Sequence, residues 1–245
     1  PASCAWGESA TIVSQFLPGA IEIASIEALQ QIGRGLDRPL HWHYRLTQDL
    51  DASGTAGWDG GAGFKPIGTA TYPFGGTFDG GNHVISSLWI DRPTEDFVGL
   101  FADASGAAIH GLGLRDAAIQ GNDWVGCLAG ACLGSAISNC FATGLVVGKQ
   151  YVGGLFGGFS ISSLAQSHAI ALVSGTDDVG GLAGRGYGAT IDGCYAAGDV
   201  RCFSGGGLLG LAASPSTVTN SYWDIDATGQ TSSADSVPAS GRTTG

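Results

Sequence analysis

The chain has 245 residues, with 10 basic against 21 acidic side chains and a formal net charge of −11 at pH 7. Binding to nucleic-acid phosphates needs clustered Lys and Arg, so nucleic acid is not expected as a partner. No run of about 18 consecutive apolar residues is present, so we expect no membrane-spanning helix and no membrane insertion.

Residues 1–57 are predicted to form an N-terminal arm and cap. The first 19 residues have no clear period, so a first strand and a free arm both remain open for them. Ser25 fits the N-cap of a short helix over 25–35 that carries apolar residues along one face. We expect this helix to plug the open end of the fold and to cover strand edges that would otherwise recruit another chain.

Two candidate ion sites precede the repeats. His41 and His43 would share one face of a strand, as a metal-binding pair does, but no further ligand completes a site. The run 49–54 resembles the opening of a calcium loop, yet Gly60 stands where a bidentate Glu is needed. We therefore predict no metal and no cofactor, and a capped turn at 49–54.

The segment 58–222 is built on one Val-Gly phrase that returns at a fixed period. The phrase begins at Val98, Val125, Val152 and Val179, and a weaker copy begins at Gly205. A fixed period of this size is typical of stacked repeats. Dense glycine disfavours helices, whereas the short segments of alternating apolar residues between glycines favour strands.

A second apolar position keeps the same spacing half a period later. It is occupied by Ile85, Ile109, Ile137, Leu164, Ile191 and Val218. Stacked coils would place these side chains in one column, with a rise of about 4.8 Å per coil. We predict an all-β fold, a right-handed parallel β-helix (β-solenoid) of about six coils of about 27 residues, stabilised by contacts between neighbouring coils. Residues 223–245 lose the period and are predicted to be a C-terminal cap or a mobile tail.

Several phrases carry a resemblance to a known family. They are VGGLxG, as at 152–157, the phrase IDGCYA at 191–196, the run 74–83, and SYWDID at 221–226. Together they resemble the GLUG repeat of large secreted or surface-attached bacterial proteins, which include adhesins and non-catalytic parts of IgA-peptidase-like proteins. The resemblance implies a β-solenoid that continues, in many relatives, beyond a segment like 223–245. It does not imply one function, because such repeats are scaffolds in proteins of several kinds.

Aromatic residues recur at two places in the coil. One place holds Trp89, Gly113, Phe141, His168, Tyr195 and Tyr222, and the other, just before the repeat valine, holds Phe97, Trp124, Tyr151 and Asp178. Rings in register can stack for stability, or they can offer a platform to a sugar or a partner surface. The candidate binding residues are Trp89, Phe97, Trp124, Phe141, Tyr151, Tyr195 and Tyr222. A third set, Asn139, Gln166, Gly193 and Asn220, is predicted to form a structural turn.

The cysteines are consistent with an oxidising compartment. The candidates for disulfides are Cys4, Cys127, Cys132, Cys140, Cys194 and Cys202. Six cysteines allow fifteen pairings, so none is assigned, and Cys4 is a candidate for a link to another subunit. Cys140 and Cys194 lie two coils apart, about 10 Å, which is too far for a bridge, so both are expected to be buried thiols. The chain begins at Pro1 and has no Met, as expected after signal-peptide removal or trimming.

No catalytic motif is recognisable in the sequence. Asp96, Asp123 and Asp177 occupy equivalent places, but Gln150 interrupts the carboxylate pairs that a glycosidase would need. We predict a non-catalytic, secreted or surface-displayed structural and binding module, acting in adhesion or as a self-assembling subunit of an extracellular filament. Its expected partners are further copies of itself, or a glycan or protein on a host or neighbouring surface. The alternative is a polysaccharide lyase or hydrolase that uses a groove along the solenoid.

Overall fold

The computed structural model describes residues 19–213, 216–234 and 240–244. It is an all-β parallel solenoid of about seven turns with few helices, which confirms the predicted fold class and adds about one turn. Parallel strands of successive coils pair along the stack, so the hydrogen-bond ladders run along the solenoid axis.

The strands are short, and a few glycine-rich corners separate them within each coil. In chain order they are β1 (Ile21–Ile23), β2 (His43–Leu46), β3 (Leu50–Asp51), β4 (Thr77–Ser86), β5 (Trp89–Asp91), β6 (Phe101–Ser105), β7 (Ala108–Gln120), β8 (Val125–Gly126), β9 (Ala129–Leu133), β10 (Ala136–Ser138), β11 (Phe141–Val147), β12 (Gln150–Gly153), β13 (Phe156–Ser160), β14 (Ser163–Ala165), β15 (His168–Ser174), β16 (Asp177–Gly180), β17 (Ala183–Tyr187), β18 (Thr190–Asp192), β19 (Tyr195–Ala196), β20 (Val200–Arg201), β21 (Gly205–Gly206), β22 (Leu209–Ala213), β23 (Thr217–Thr219), β24 (Tyr222–Asp224) and β25 (Ser240–Arg242). The helices are α1 (Ile26–Gln30) and α2 (Ile225–Thr228), and 3₁₀ turns occupy Ser53–Gly61.

Among the described residues the strands form three sheets. A four-stranded sheet contains β8, β12, β16 and β21, and a five-stranded sheet contains β6, β9, β13, β17 and β22. The other 16 strands form one sheet that bends around a corner, because the long strands β4 and β7 continue from one side of the coil to the next. We call these the corner sheet, the middle sheet and the long sheet.

The predicted column of repeat valines is confirmed. Val98 bridges to Val125, and the pairs Val125 with Val152 and Val152 with Val179 follow in parallel register. All four valines are fully buried. Gly205 takes the place of valine in the next coil, opposite Val179, so the column loses its side chain where the repeat weakens.

The second apolar column is confirmed from Ile109 onward, but the prediction for Ile85 is wrong. Ile109 pairs with Ile137, and the register continues through Leu164, Ile191 and Val218. Phe78, not Ile85, lies next to Ile109 in this column, and Ile85 pairs with Leu114 instead. The pairing of β4 with β7 shifts register between Asp79 and His83. The spacing of the regular coils therefore cannot be extended backwards to this one.

Parallel pairing begins upstream of the boundary predicted at residue 58. β1 pairs with β2, and β2 pairs with β4, so these strands already belong to the stack. Helix α1 lies between β1 and β2 and is shorter than the predicted 25–35. The Ser25 side chain accepts a hydrogen bond from the Ala28 backbone N–H, as an N-cap should. The helix stops before Gly33, whose φ of +78° is left-handed.

The described part of the segment 223–245 packs over the last coil. β25 pairs in parallel with β24, and helix α2 is capped by the Asp224 carboxylate. The Gly207 N–H donates to the Ser232 carbonyl at 2.9 Å, and the Leu209 N–H donates to the Ser233 hydroxyl at 2.9 Å. Backbone groups at this edge of the stack are therefore partly occupied by the protein's own chain.

Candidate functional site

Three aromatic rings are stacked at the corner that precedes each repeat valine. The ring centroids of Phe97 and Trp124 are 5.8 Å apart with an interplanar angle of 7°, and those of Trp124 and Tyr151 are 4.2 Å apart at 31°. All three side chains are partly exposed. We call Phe97, Trp124 and Tyr151 the corner ladder. Its central ring, Trp124, has another ring on each of its two sides.

The corner ladder is built on left-handed backbone. Phe97 and Trp124 have φ of +60°, Tyr151 has +56°, and Asp178 in the next coil has +55°. A non-glycine residue in this conformation costs about 1–2 kcal/mol. A stacked pair contributes about 0.5–1.5 kcal/mol, so the two stacks and the strain of three residues are of the same order. Stacking is therefore not a large net source of stability at this corner.

The outer side of the corner ladder meets the middle sheet. A Cβ atom at Gly158 would clash with Cζ3 of Trp124, so the indole ring lies directly over this glycine. Arg185 lies one coil later and pairs with Gly158. Its guanidinium carbon is 5.8 Å from the ring centroid of Tyr151 and 5.9 Å from that of Tyr187. Arg185 therefore places a positive charge beside the last ring of the ladder.

The carboxylates beside the corner ladder connect successive coils. Asp96 accepts hydrogen bonds from the Asn122 side-chain amide at 2.7 Å and from the Asp123 N–H at 3.2 Å. Asp123 in turn accepts one from the Gln150 N–H at 3.1 Å. Oxygens that cap the backbone of the next coil are not arranged as a general acid and base pair. These residues therefore stabilise the corner, and nothing in their geometry indicates catalysis.

A second stack runs along the outer face of the long sheet. The ring centroids of Phe141 and His168 are 5.4 Å apart, those of His168 and Tyr195 are 4.6 Å apart, and those of Tyr195 and Tyr222 are 5.5 Å apart. The interplanar angles are only 4–8°. We call Phe141, His168, Tyr195 and Tyr222 the face ladder. None of the four has a positive φ.

Both ends of the face ladder are covered. A Cβ at Gly113 would lie 2.5 Å from the Phe141 ring, so this ring rests against the strand of the preceding coil. At the other end, the Arg242 guanidinium carbon lies 4.6 Å from the Tyr222 ring centroid. The faces of the inner rings are occupied by their neighbours, so the ladder presents ring edges to solvent.

Burial changes the titration of two members of the face ladder. It lowers the pKa of His168 from its ordinary value, because removal from water disfavours the charged imidazolium. It raises the pKa of Tyr195, with a smaller contribution from neighbouring Tyr222. His168 is therefore neutral at pH 7, and the ladder carries no charge until Arg242.

Trp89 does not belong to the face ladder, and its predicted place in that column is wrong. Val84 occupies the place next to Gly113, whereas Trp89 pairs with Ala118. The indole N–H of Trp89 donates to the Gly61 carbonyl at 3.2 Å. The reason is again the irregular length of this coil, which shifts the tryptophan to a different column.

Trp89 instead begins an apolar column on the same outer face. The column continues through Ala118, Leu145 and Leu172 in parallel register. Trp89 is 39% exposed, Leu145 is 40% exposed and Ile170, in the adjacent column, is 43% exposed. Ala118 is small, so a shallow notch lies between Trp89 and Leu145. We call the face ladder together with Trp89, Leu145, Ile170 and Leu172 the sheet face.

The amide residues at the neighbouring corner form the predicted turn. Asn139, Gln166, Gly193 and Asn220 have φ between +48° and +62°. The Asn139 N–H donates to the Ala165 carbonyl and the Gln166 N–H donates to the Asp192 carbonyl in the next coil. Asparagine and glycine tolerate this conformation, which is why they recur here.

The disulfide expectation is not supported. The five described cysteines, Cys127, Cys132, Cys140, Cys194 and Cys202, are free thiols, and Cys4 lies outside the described residues. Cys140 and Cys194 are buried as predicted. Ser167 lies between them, and its hydroxyl accepts a hydrogen bond from the Cys140 N–H at 3.1 Å. Burial raises the pKa of Cys140 to about 12 and that of Cys194 to about 11, so both thiols are protonated at neutral pH.

The described ranges are 19–213, 216–234 and 240–244. No group of three or more His, Cys, Asp or Glu side chains is arranged to hold a metal ion there. In the same ranges no helix has the length and apolar character needed to cross a membrane. The candidate binding surfaces are therefore the sheet face and the corner ladder, which contain the aromatic residues predicted from the sequence.

The comparisons with known proteins agree with this architecture. The GLUG motif family matches residues 175–201, which is one complete coil. The chain is therefore a parallel β-solenoid, and at least one of its coils matches the GLUG motif.

The solenoid is also similar to larger proteins. Over 107 residues, or 42% of its length, it is 44% identical to Halomucin of Haloquadratum walsbyi, but it spans only 1% of that protein. A crystal structure from Bacteroides ovatus, provisionally assigned as an immunoglobulin A1 protease, superposes with a TM-score of 0.68 at 20% identity. That match covers 84% of this chain and 66% of the other, and at this identity it shows the fold alone.

Sequence reasoning missed the two arginines that flank the ladders. Arg185 could have been found from the repeat spacing, since it occupies the position that Gly158 occupies in the preceding coil. Arg242 had none, because it lies beyond the last repeat and reaches Tyr222 only through the pairing of β25 with β24. The column to which Trp89 belongs also could not be read from the repeat spacing.

Proposed function

We propose that this GLUG-repeat solenoid is displayed at a cell surface or in extracellular material, where the sheet face adheres to a partner protein. The observation that carries the proposal is the exposure of Trp89, Leu145 and Ile170 on one face of the long sheet, with Trp89 and Leu145 in one column and Ile170 in the adjacent column. Soluble proteins rarely expose contiguous apolar patches of more than a few hundred Å² unless those patches bind something.

The GLUG match and the likeness to Halomucin support a surface or extracellular location. The cavity on the sheet face between Trp89 and Leu145 has a volume of only about 50 Å³, and the aspartates of the corner cap backbone groups of the next coil. Both features suit a display or contact module better than an enzyme.

The geometry of the sheet face favours a protein partner over a sugar. A sugar binds an aromatic residue through the flat face of the ring, and the inner faces of the face ladder are already occupied by neighbouring rings. The exposed atoms are ring edges and the branched side chains of Leu145 and Ile170. Such atoms, together with the notch over Ala118, match the apolar anchors at the centre of protein interfaces.

Assembly into a filament is supported less well. End-to-end growth would require a free strand edge, and β25 together with Ser232 and Ser233 already covers groups at the C-terminal end of the stack.

Adhesion can be tested with beads that carry the purified protein. Retention of the beads on extracellular material from cells of the source organism would be measured under flow, with and without protease treatment of that material. Leu145→Asp combined with Ile170→Asp should reduce retention about tenfold, because charge on the apolar face must be desolvated on contact. Protease treatment should abolish retention.

The matched control is Leu133→Asp with Tyr187→Asp, which places the same charges on exposed apolar residues of the middle sheet. Beads that carry this control variant should be retained as well as beads that carry the native protein. Retention that survives protease but is lost after periodate oxidation of glycans would overturn the choice of partner. Equal retention of both double variants would overturn the role of the sheet face.

A further inference from the structure

A cleft near the N-terminal end of the stack is separate from both ladders. It lies between the end of helix α1 and the loop that follows Phe64, and it has a volume of about 420 Å³. Small-molecule sites commonly have volumes of about 300–1,000 Å³. Its lining includes Arg34, His41, Lys65, Thr69 and Tyr72.

The charge of the cleft is opposite to that of the protein. The chain has a net charge of −11 and only two lysines, yet the charged residues that line the cleft are Arg34 and Lys65, without a lining carboxylate. No ion pair joins either cation to another described residue. Asp59 acts on both cations through space but contacts neither, so an anion entering the cleft would still meet two cations without a directly bound carboxylate.

Two carboxylates lie near the cleft, and each has an arginine partner outside it. Asp59 accepts a hydrogen bond from Arg92 at 2.6 Å. Asp37, next to the rim at Gly35, lies 4.0 Å from the Arg38 guanidinium. Neither of them lines the cleft.

The positive wall is held in place before any ligand arrives. Nε of Arg34 donates to the Gln30 carbonyl, and Nη2 donates to the Lys65 carbonyl at 3.0 Å. The Gln30 side-chain amide donates to the same Lys65 carbonyl and accepts from the Lys65 N–H, both at 2.9 Å. These contacts use only backbone atoms of Lys65, so its ammonium group stays available. Preorganised donors lose less entropy on binding.

The uncharged lining suits a sugar ring. Tyr72 is 70% exposed and offers a ring that no other described aromatic side chain stacks on. His41 and Thr69 supply polar groups that can hydrogen-bond to hydroxyls. A ligand with one anionic group, one apolar ring face and several hydroxyls would satisfy all of these residues.

We propose that this cationic cleft binds the carboxylate-bearing sugar unit of an acidic glycan. Lys65 and Arg34 bind the carboxylate, Tyr72 stacks on the ring, and His41 and Thr69 contact the hydroxyls. This site is independent of the sheet face, since it uses different residues at another part of the stack.

Isothermal titration calorimetry on the full chain tests the cleft with three probes: D-glucuronate, D-glucose and inorganic sulfate. Glucuronate should bind, while glucose and sulfate should bind at least tenfold more weakly, because each lacks one half of the recognised chemistry. Lys65→Gln should weaken glucuronate binding about tenfold. Tyr72→Ala should weaken glucuronate and leave any sulfate binding unchanged.

Lys149→Gln is the control, because it removes the other lysine of the chain at a distant coil, and it should bind glucuronate like the native protein. Thermal unfolding of each variant shows whether the fold is intact. Sulfate that binds as tightly as glucuronate would overturn the sugar assignment. Glucuronate binding that is absent, or unaffected by Lys65→Gln, would overturn the site itself. Sheet-face variants should leave this binding unchanged, so the two proposals fail separately.

Discussion

The two aromatic ladders have the same rise per coil but stand on different backbones. The corner ladder is set on left-handed residues, with φ of +56° to +60°, where glycine or asparagine would be cheaper. The face ladder is set on strand residues of the long sheet, where aromatic side chains are favoured. Backbone strain therefore offsets the stacking at the corner, whereas the stacking on the sheet carries no such cost.

The ladders also differ in what lies beside them. The Trp124 ring is held between two rings and over Gly158, whereas Phe141 ends its ladder over Gly113. Ring stacking in register thus does not predict how firmly a ring is held. The following experiments use this difference.

The largest expected effect comes from filling the space under each ladder. Gly158→Val should destabilise the protein by about 3 kcal/mol, because the ring of Trp124 cannot move away between its two neighbours. Gly113→Val should cost less, nearer about 1 kcal/mol, since Phe141 is stacked on one ring rather than two. Urea unfolding of both variants measures the difference. Equal losses would show that the two rings are held alike.

The next effect comes from replacing one ring by an aliphatic side chain. Tyr195→Leu removes two stacks and should cost about 2 kcal/mol, whereas Tyr151→Leu removes one ring stack and should cost about 1 kcal/mol. Leucine keeps most of the apolar bulk, so the comparison isolates the aromatic contact. A larger loss at Tyr151 than at Tyr195 would contradict the comparison.

A smaller effect, of opposite sign at the two ladders, should separate backbone strain from side-chain contact. At Tyr151, glycine should be about 1 kcal/mol more stable than alanine, because it relieves the left-handed strain. At Tyr195, glycine should be about 0.5–1 kcal/mol less stable than alanine, since it adds entropy to the unfolded strand. The four variants share one urea-unfolding assay. The same sign at both positions would refute the difference in backbone.

The smallest effect is a pH dependence that only the face ladder should show. Burial lowers the pKa of His168, so the unfolded chain binds a proton more readily than the folded protein. The stabilisation is complete above the ordinary histidine pKa of about 6.5 and is lost as the pH falls below it. The stability of His168→Phe relative to the native protein should therefore rise between pH 7.5 and 5. An NMR titration of the His168 ring with an ordinary or raised pKa would contradict this.

Most of the fold could be predicted from the sequence, because the regular coils repeat at one spacing. Val125, Val152 and Val179 lie in register as predicted, and so do the face-ladder rings from Phe141 to Tyr222. The errors in strand register are confined to the irregular coil before Val98. There the register shift in β4 moves Ile85 and Trp89 into other columns. The spacing of residues in the sequence does not predict this shift.

The sequence by itself determined the repeat, the parallel stack and the rows of like side chains, because equal spacing places equal residues at equal points of a coil. Only the tertiary structure decided which ring faces are free, since that depends on contacts between residues without a common period, such as Arg242 with Tyr222. It also decided that Arg34 and Lys65, which are far apart in the sequence, line one cleft. They lie close together because the Gln30 side-chain amide forms two hydrogen bonds with the Lys65 backbone, in a loop outside the repeats.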